Sequence, residues 1–114
     1  MKRESEAVLL RIFIGESDRF EGKPLDTYII EMCKKDGLAG ATAIRGVGGF
    51  GKSSHMHTTS ILRLSTDLPV LIEVVDNAEK IEGLKKKLDS IIKEGLITEE
   101  KVKVIIYEGN KKEE

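Results

Sequence analysis

A glycine-rich run followed by Lys and Ser contains the residue types that could bind phosphate. The run is Gly46-Val47-Gly48-Gly49-Phe50-Gly51-Lys52-Ser53, and it satisfies the phosphate-loop pattern. In that pattern glycine N–H groups contact the phosphates, the Lys adds a positive charge and the Ser hydroxyl binds magnesium. The apolar stretch 71–76 also resembles a strand that ends in a magnesium-binding Asp. These features make a magnesium-dependent phosphohydrolase one hypothesis.

The residues that follow the run disfavour that hypothesis. A phosphate loop leads directly into a helix, whereas residues 54–59 lead into β-rich sequence without helix-start signals. Arg45 and Lys52 still place two cations beside the glycines, and backbone amides in a loop can form an anion site without a phosphate-loop fold. Two interpretations of this loop therefore remain. Either it binds an anion or a nucleotide, or its glycines only permit positive φ angles.

Other reactive side chains give no catalytic pattern. His55 and His57 would share one face of an extended segment and could hold a metal with a third ligand, but the sequence identifies none, so two loop histidines without a metal is the simpler interpretation. The serines near the loop show no spacing that defines a nucleophile, a base and an orienting group. Cys33 is the single cysteine and is predicted to be a small core residue. We predict a protein that is not an enzyme.

Composition limits the class of protein. The 114 residues and 12.7 kDa correspond to one domain, and the net charge of −1 argues against nucleic-acid binding. No apolar run approaches the roughly 20 residues needed to cross a bilayer, and Arg11 interrupts the apolar stretch that a secretory h-region would need. We therefore expect a cytoplasmic protein without membrane insertion. The 14 Lys, the 14 Glu and the lack of Gln fit a thermophile.

Hydrophobic periodicity predicts the order β-α-β-loop-β-α-β. Alternation indicates the strands, helical spacing indicates the helices, and Pro69 is expected to mark a bend or a bulge in one long irregular strand. The tails 1–6 and 109–114 are expected to be frayed. The predicted elements are a strand over 7–14, a helix from Pro24 to Gly37, a short strand over 41–45, a mobile loop over 46–58, β-rich stretches over 58–65 and 70–75, a helix from Asp76 or Asn77 to Gly95, and a strand over 102–107.

This order predicts a single α+β domain of ferredoxin-like β-α-β-β-α-β type, with two helices on one face of an antiparallel sheet. No further helix is available to cover the other face. The apolar residues expected there are Leu9, Phe13, Ile61 and Ile105. We therefore expect that face to be buried in a homo-oligomer.

Several short runs of the chain form a pattern that is typical of one family. The runs are Lys23-Pro24-Leu25, Gly37-Leu38-Ala39-Gly40-Ala41-Thr42, Arg45-Gly46, Gly49-Phe50-Gly51, His57 and Asp67-Leu68-Pro69-Val70 to Asp76. Together they resemble the uncharacterised PII-like family of small prokaryotic proteins, over nearly the whole chain. The resemblance implies a homotrimer that binds an adenine nucleotide (ATP, ADP or AMP) between subunits and signals to an unknown partner protein through the 46–58 loop.

Two departures from true PII proteins matter for the expected site. No Tyr lies between residues 46 and 58, so uridylylation of a loop Tyr does not carry over, and residues 95–101 lack the basic glycine-rich phosphate loop of PII proteins. We therefore assign ligand binding to the 46–58 loop. The predicted ligand-binding residues are Arg45, Gly46, Gly48, Gly49, Phe50, Gly51, Lys52, Ser53 and His57. The alternative is a metal-ion-responsive trimeric module that uses His55 and His57, because this architecture also serves divalent-metal tolerance proteins.

Overall fold

The computed structural model describes residues 1–49, the backbone of 57–58, and residues 67–109. Two helices and eight strands lie within these ranges, and several of the strands have only two residues. The elements in chain order are β1 (Lys2–Gly15), β2 (Arg19–Phe20), β3 (Lys23–Pro24), α1 (Leu25–Lys35), β4 (Ala41–Arg45), β5 (Gly48–Gly49), β6 (His57–Thr58), β7 (Pro69–Asp76), α2 (Ala78–Leu88) and β8 (Leu96–Tyr107).

Four strands form one antiparallel sheet in the order β4-β7-β1-β8. The first long strand therefore lies in the interior of the sheet, and the last strand forms one edge. Two of the strand connections contain the helices, which pack on the same face. This arrangement confirms the predicted ferredoxin-like α+β fold.

The core lies between one sheet face and the two helices. Alternate residues of β1 and β7 point to this face, and Leu10, Ile12 and Ile72 are fully buried. Each helix contributes an apolar stripe at intervals of three or four residues, which is the spacing that keeps side chains on one side of a helix. The buried helical residues are Leu25, Ile29, Cys33, Ile81, Leu84 and Leu88.

Both ends of the chain depart from the expected strand limits. The expected frayed tail over residues 1–6 is wrong for residues 2–6, because β1 begins at Lys2 and pairs with β8 from Lys2↔Tyr107 to Phe13↔Leu96. The final strand likewise begins at Leu96 rather than at residue 102. Both strands are longer than predicted because their backbones pair continuously. Charged residues such as Glu4 and Lys103 can lie in paired strands when the sheet is exposed to solvent there, so the polar sequence does not end the strands. Residues 110–114 lie outside the described part.

The second helix is shorter than predicted. It ends at Leu88, and a turn follows in which the N–H groups of Ile91 and Ile92 both donate to the Leu88 carbonyl oxygen. Ile91 remains buried, so the apolar spacing persists although the helix does not. Gly95 does not end the helix either: a Cβ there would lie 2.8 Å from the Phe13 carbonyl oxygen, so the glycine allows a close approach to β1.

The predicted loop over 46–58 contains a short pair of strands. Gly48 pairs with Thr58, and Gly49 pairs with His57. Pro69 is the first residue of β7 rather than a bend within a longer strand, which agrees with the position that proline tolerates in a sheet. Residues 59–66 of the expected irregular strand lie outside the described part.

The sheet face opposite the helices is partly apolar. It carries Leu9 and Phe13 from β1, Ile44 from β4 and Leu96 from β8, and the last three are exposed. The expectation for Ile105 is wrong, because its pairing with Glu4 places it on the other face. Ile61 lies outside the described residues. No helix in the described ranges has the length and apolar character needed to span a bilayer.

Candidate functional site

The candidate site lies at the end of the sheet where β1 and β4 finish and β7 begins. Arg45 is the last residue of β4 and pairs with Val70, which in turn pairs with Ile14 of β1. These three residues form one row across three strands, on the face that the helices cover. Val70 and Ile14 are buried, and the Arg45 side chain is 64% exposed at the edge of the sheet. The site therefore presents a cation to solvent on a rigid base.

Arg45 forms an ion pair with Glu16. Its Nε lies 3.0 Å from Glu16 Oε2, and the Glu16 side chain is 30% exposed. Because Glu16 follows the end of β1 and Arg45 ends β4, the pair crosses the beginning of the intervening strand, β7. The ion pair thus connects two chain segments that the backbone ladder does not join directly.

Backbone hydrogen bonds hold Glu16 in position. The Glu16 N–H donates to the Leu68 carbonyl oxygen at 2.8 Å, and the Ser17 N–H donates to Asp67 Oδ1 at 3.0 Å. The preceding Gly15 N–H donates to Asp18 Oδ2 at 3.0 Å. The turn after β1 is therefore attached to the segment that leads into β7, and Glu16 faces Arg45 without depending on the ion pair.

The glycines of the predicted site have different roles in the backbone. The Gly46 N–H donates to the Pro69 carbonyl oxygen at 2.7 Å, so this N–H is not available to a phosphate. Gly48 and Gly49 belong to β5, and Gly49 has a φ of 151°, within the range that side chains disfavour. His57 lies opposite Gly49 along the paired backbone. The structure thus brings Arg45, Gly46, Gly48, Gly49 and the His57 backbone together at the base of the 46–58 segment.

The remaining predicted ligand residues lie outside the described residues. They are Phe50, Gly51, Lys52 and Ser53, and His55 of the metal alternative falls in the same gap. Their assignment stays a prediction.

Sequence reasoning missed Glu16 as a partner of the site. The acidic turn Glu16-Ser17-Asp18 directly follows the first strand, and Asp67-Leu68 precedes β7, which begins at Pro69. Since antiparallel neighbours place the end of one strand beside the start of the next, those two signals could have located the turn beside residue 67. The ion pair with Arg45 required the strand order and could not be deduced from spacing.

The phosphohydrolase hypothesis gains no support from the geometry. Asp76, its expected magnesium ligand, ends β7, whereas Gly46 contacts the first residue of that strand. Seven residues of extended chain separate the two positions by roughly 23 Å, too far for one magnesium ion and its nucleotide phosphates. The Asp76 carboxylate instead accepts hydrogen bonds from the backbone N–H groups of Ala39 and Asn77.

Within the described ranges the geometry favours neither a metal site nor a cysteine nucleophile. Three or more His, Cys, Asp or Glu side chains suited to a metal ion do not cluster there. Cys33 is buried in α1, and burial raises the pKa of its thiol to about 11, with a further contribution from the negative charge of Asp36. A neutral buried thiol is a poor nucleophile.

A groove of about 570 Å³ lies away from Arg45, on the helical layer. Its apolar part includes Phe20 and Tyr28, whose rings meet edge to face with centroids 4.8 Å apart. Two lysines at its border are already neutralised: Lys23 pairs with Glu31 at 2.7 Å and Lys87 pairs with Asp36 at 2.6 Å. A third lysine, Lys35, and a further carboxylate, Glu21, also line the groove, so its border carries charges of both signs.

A solved structure shares this fold. CPII, a nitrogen regulatory PII-like protein from Thiomonas intermedia K12, has been solved bound to ADP, AMP and bicarbonate, and it superposes with a TM-score of 0.61 at 14% identity. The match covers 90% of this chain and 91% of that chain. At this identity the similarity establishes a PII-like fold.

Curated relatives are closer in sequence. A UPF0166 protein of Aquifex aeolicus is 41% identical over 97 residues, covering 85% of this chain and 91% of its own length. The UPF0166 protein MJ1524 of Methanocaldococcus jannaschii is 40% identical over 93 residues, covering 81% of this chain and 85% of its own length. The profile of a family described as "Uncharacterized ACR" matches residues 7–104. The chain therefore belongs to this family, DUF190, and it has the PII-like fold.

Proposed function

We propose that the chain is a PII-like regulatory protein that binds an adenine nucleotide, without catalysing a reaction, and reports the bound state through the 46–58 segment. The single observation that carries the proposal is the exposed Arg45 guanidinium at the sheet end, beside the glycine-rich segment, in a PII-like fold. The CPII structure, which holds ADP and AMP in the same fold, supports the choice of nucleotide.

Arg45 supplies the chemistry that a phosphate requires. A guanidinium is planar, permanently charged and able to donate two parallel hydrogen bonds to phosphate oxygens. In the described part of the chain its ion pair is with Glu16 through Nε, and such an exposed pair contributes little free energy. A phosphate can therefore compete for the guanidinium. Lys52, Ser53, Phe50 and Gly51 complete the proposed site.

The proposal includes a homotrimer with the ligand between subunits. Its support is the partly apolar sheet face with Phe13, Ile44 and Leu96 exposed, which no element of the described chain covers. A second and third copy would bury that face. We place such a regulator in the cytoplasm, where adenine nucleotides and a partner protein are available to it.

Signalling would follow from differential affinity. A nucleotide that binds one arrangement of the 46–58 segment more tightly than another shifts the population toward it, and no covalent step is needed. Because Gly46 is held to Pro69 and Arg45 to Glu16, the base of the segment has a defined geometry to which a ligand contact can couple.

Isothermal titration of the purified protein with ATP, ADP, AMP and cyclic AMP, each with and without magnesium, tests the proposal. We expect saturable binding near one ligand per subunit, and an affinity at least about tenfold weaker in Arg45→Ala, since a lost charge-assisted pair costs about 1.5–3 kcal/mol. Lys52→Ala tests the second cation. Arg3→Ala is the matched control, because Arg3 also pairs with a Glu but at the other end of β1.

Unchanged affinity for every nucleotide in both Arg45→Ala and Lys52→Ala would show that the phosphate site is wrong. If no nucleotide binds the unaltered protein, zinc and copper titrations of that protein and of His57→Ala test the metal-responsive alternative.

A further inference from the structure

We infer that Glu16 is an internal competitor for the anion at Arg45 and a specificity-determining residue that disfavours ligands of higher negative charge. The inference rests on the proposed function, because it concerns the same guanidinium. It adds a residue, a direction of selectivity and a salt dependence that nucleotide binding alone does not imply.

The geometry places Glu16 against the guanidinium that a ligand phosphate would contact. Its Oε2 lies 3.0 Å from Arg45 Nε, and Arg45 is exposed at the sheet edge. An incoming phosphate either displaces this carboxylate or shares the guanidinium with it. Displacement breaks the Arg45–Glu16 ion pair, and sharing brings two anions to one cation, so Glu16 opposes binding in both cases.

Backbone hydrogen bonds hold the main chain of Glu16 at the site. The Glu16 N–H is bonded to the Leu68 carbonyl oxygen, and the neighbouring Ser17 N–H is bonded to Asp67. These bonds do not involve the Glu16 side chain. The carboxylate can therefore rotate away from Arg45 while its Cα stays in place, and Glu16→Gln should preserve the turn.

The charge of Glu16 makes the competition sensitive to ligand charge. Its carboxylate lies 3.0 Å from Arg45 Nε, so it is close to any phosphate that the same guanidinium binds. Repulsion between the ligand and Glu16 grows in proportion to the ligand's charge, which is about −2 for AMP and about −3 for ADP without magnesium. Loss of the Glu16 charge should therefore favour ADP more than AMP.

Titration of the full chain with AMP and with ADP, without magnesium, tests this inference in the unaltered protein and in Glu16→Gln. We expect Glu16→Gln to bind AMP about threefold and ADP about five- to tenfold more tightly at low salt, in keeping with the small free energy of an exposed ion pair plus a repulsion that depends on charge. Both gains should shrink at about 0.5 M salt, because the charges are exposed and screened.

Two further variants separate the interpretations. Glu108→Gln removes a similarly exposed Arg–Glu pair, Arg3–Glu108 at 2.9 Å, at the opposite end of β1, and should leave both affinities unchanged. In an Arg45→Ala background the Glu16→Gln gain should fall by at least half, since the shared cation is gone.

Each outcome decides a different point. If the unaltered chain binds nucleotide and Glu16→Gln binds it equally or less tightly, the role of Glu16 is wrong while the proposed function stands. If the gain is the same for AMP and ADP, the charge selectivity is wrong. If neither protein binds a nucleotide at the highest concentrations tested, the proposed function fails and the Glu16 inference fails with it.

Discussion

The backbone of Gly46 lies directly against the ring of Pro69. The Gly46 N–H donates to the Pro69 carbonyl oxygen at 2.7 Å, and a Cβ added to Gly46 would lie 2.9 Å from Pro69 Cγ. This contact determines where the chain leaves β4 and enters the segment that we assign to ligand binding. Since the proline ring is rigid, the close approach requires a residue without a side chain at position 46.

Gly46→Ala should destabilise the protein. The added methyl group cannot be accommodated by rotation of the proline ring, so β4 and β7 must separate locally, and overpacking of this kind costs about 1–3 kcal/mol. Urea unfolding at a fixed protein concentration measures the free-energy change. Gly40→Ala is the matched control, because among the described residues no atom beyond the chain neighbours of Gly40 lies within 4 Å of its added Cβ. Equal unfolding midpoints for the two variants would contradict the importance of the Gly46–Pro69 contact.

Asn77→Ala should also reduce the free energy of unfolding, by about 1 kcal/mol. Asn77 precedes α2 and its Oδ1 accepts the Lys80 N–H at 2.8 Å, which satisfies one of the donors left unpaired at a helix start. Asn77→Asp retains an acceptor and should lie close to the unaltered protein in the same urea experiment. A loss in Asn77→Asp as large as in Asn77→Ala would assign the effect to something other than the cap.

The helix cap and the core were predictable because they depend on local spacing. Asn77 carries a capping side chain directly before an apolar stripe, and Ile81, Leu84 and Leu88 recur at helical intervals. Those local signals also give the order of the main elements, from which the ferredoxin-like arrangement follows. Pairing partners are not local, which explains why Ile105 was assigned to the wrong sheet face and why the start of β8 was missed.

The candidate site shows the same division between local and long-range information. Arg45 and the glycines stand out in the sequence because cations and flexible backbone are the groups that anion binding requires. Glu16 does not stand out, since it is 29 positions earlier in the chain and meets Arg45 only after β7 has been inserted between β1 and β4. The local pattern located one side of the ion pair, and the topology supplied the other.

Acid should weaken the ion pair that Glu82 and Lys85 form within α2. Lys85 Nζ donates to Glu82 Oε2 at 2.8 Å and to Glu99 Oε1 at 2.7 Å, and these hydrogen bonds raise the pKa of Lys85. The bond from Lys85 is also the main cause that lowers the pKa of Glu82 from its ordinary value of 4.5. A carboxyl group whose pKa is lower in the folded state stabilises the fold above its unfolded pKa, and this contribution disappears as the pH falls through the folded value.

Urea unfolding of Glu82→Gln across the acid range measures this contribution. The variant should be less stable than the unaltered protein at neutral pH, and the difference should shrink as the pH falls below about 4.5. Glu94→Gln is the control, because Glu94 is exposed and forms no ion pair with another described residue. A stability difference that stays constant from neutral to acid pH would show that Glu82 acts through packing rather than charge.

Phe13 tests whether the uncovered sheet face joins copies of the chain. Its ring is 36% exposed beside β8, where Leu96 is 59% exposed, and both lie on the face opposite the helices. Burial of this face would remove apolar surface from water, so a charge placed in its centre should prevent association. Light scattering should give a mass of about three chains for the unaltered protein and about one for Phe13→Asp. Tyr107→Asp is the control, because Tyr107 is exposed on the face that carries the helices, and this variant should keep the larger mass. A single-chain mass for the unaltered protein would exclude the face that carries Phe13 as a stable interface.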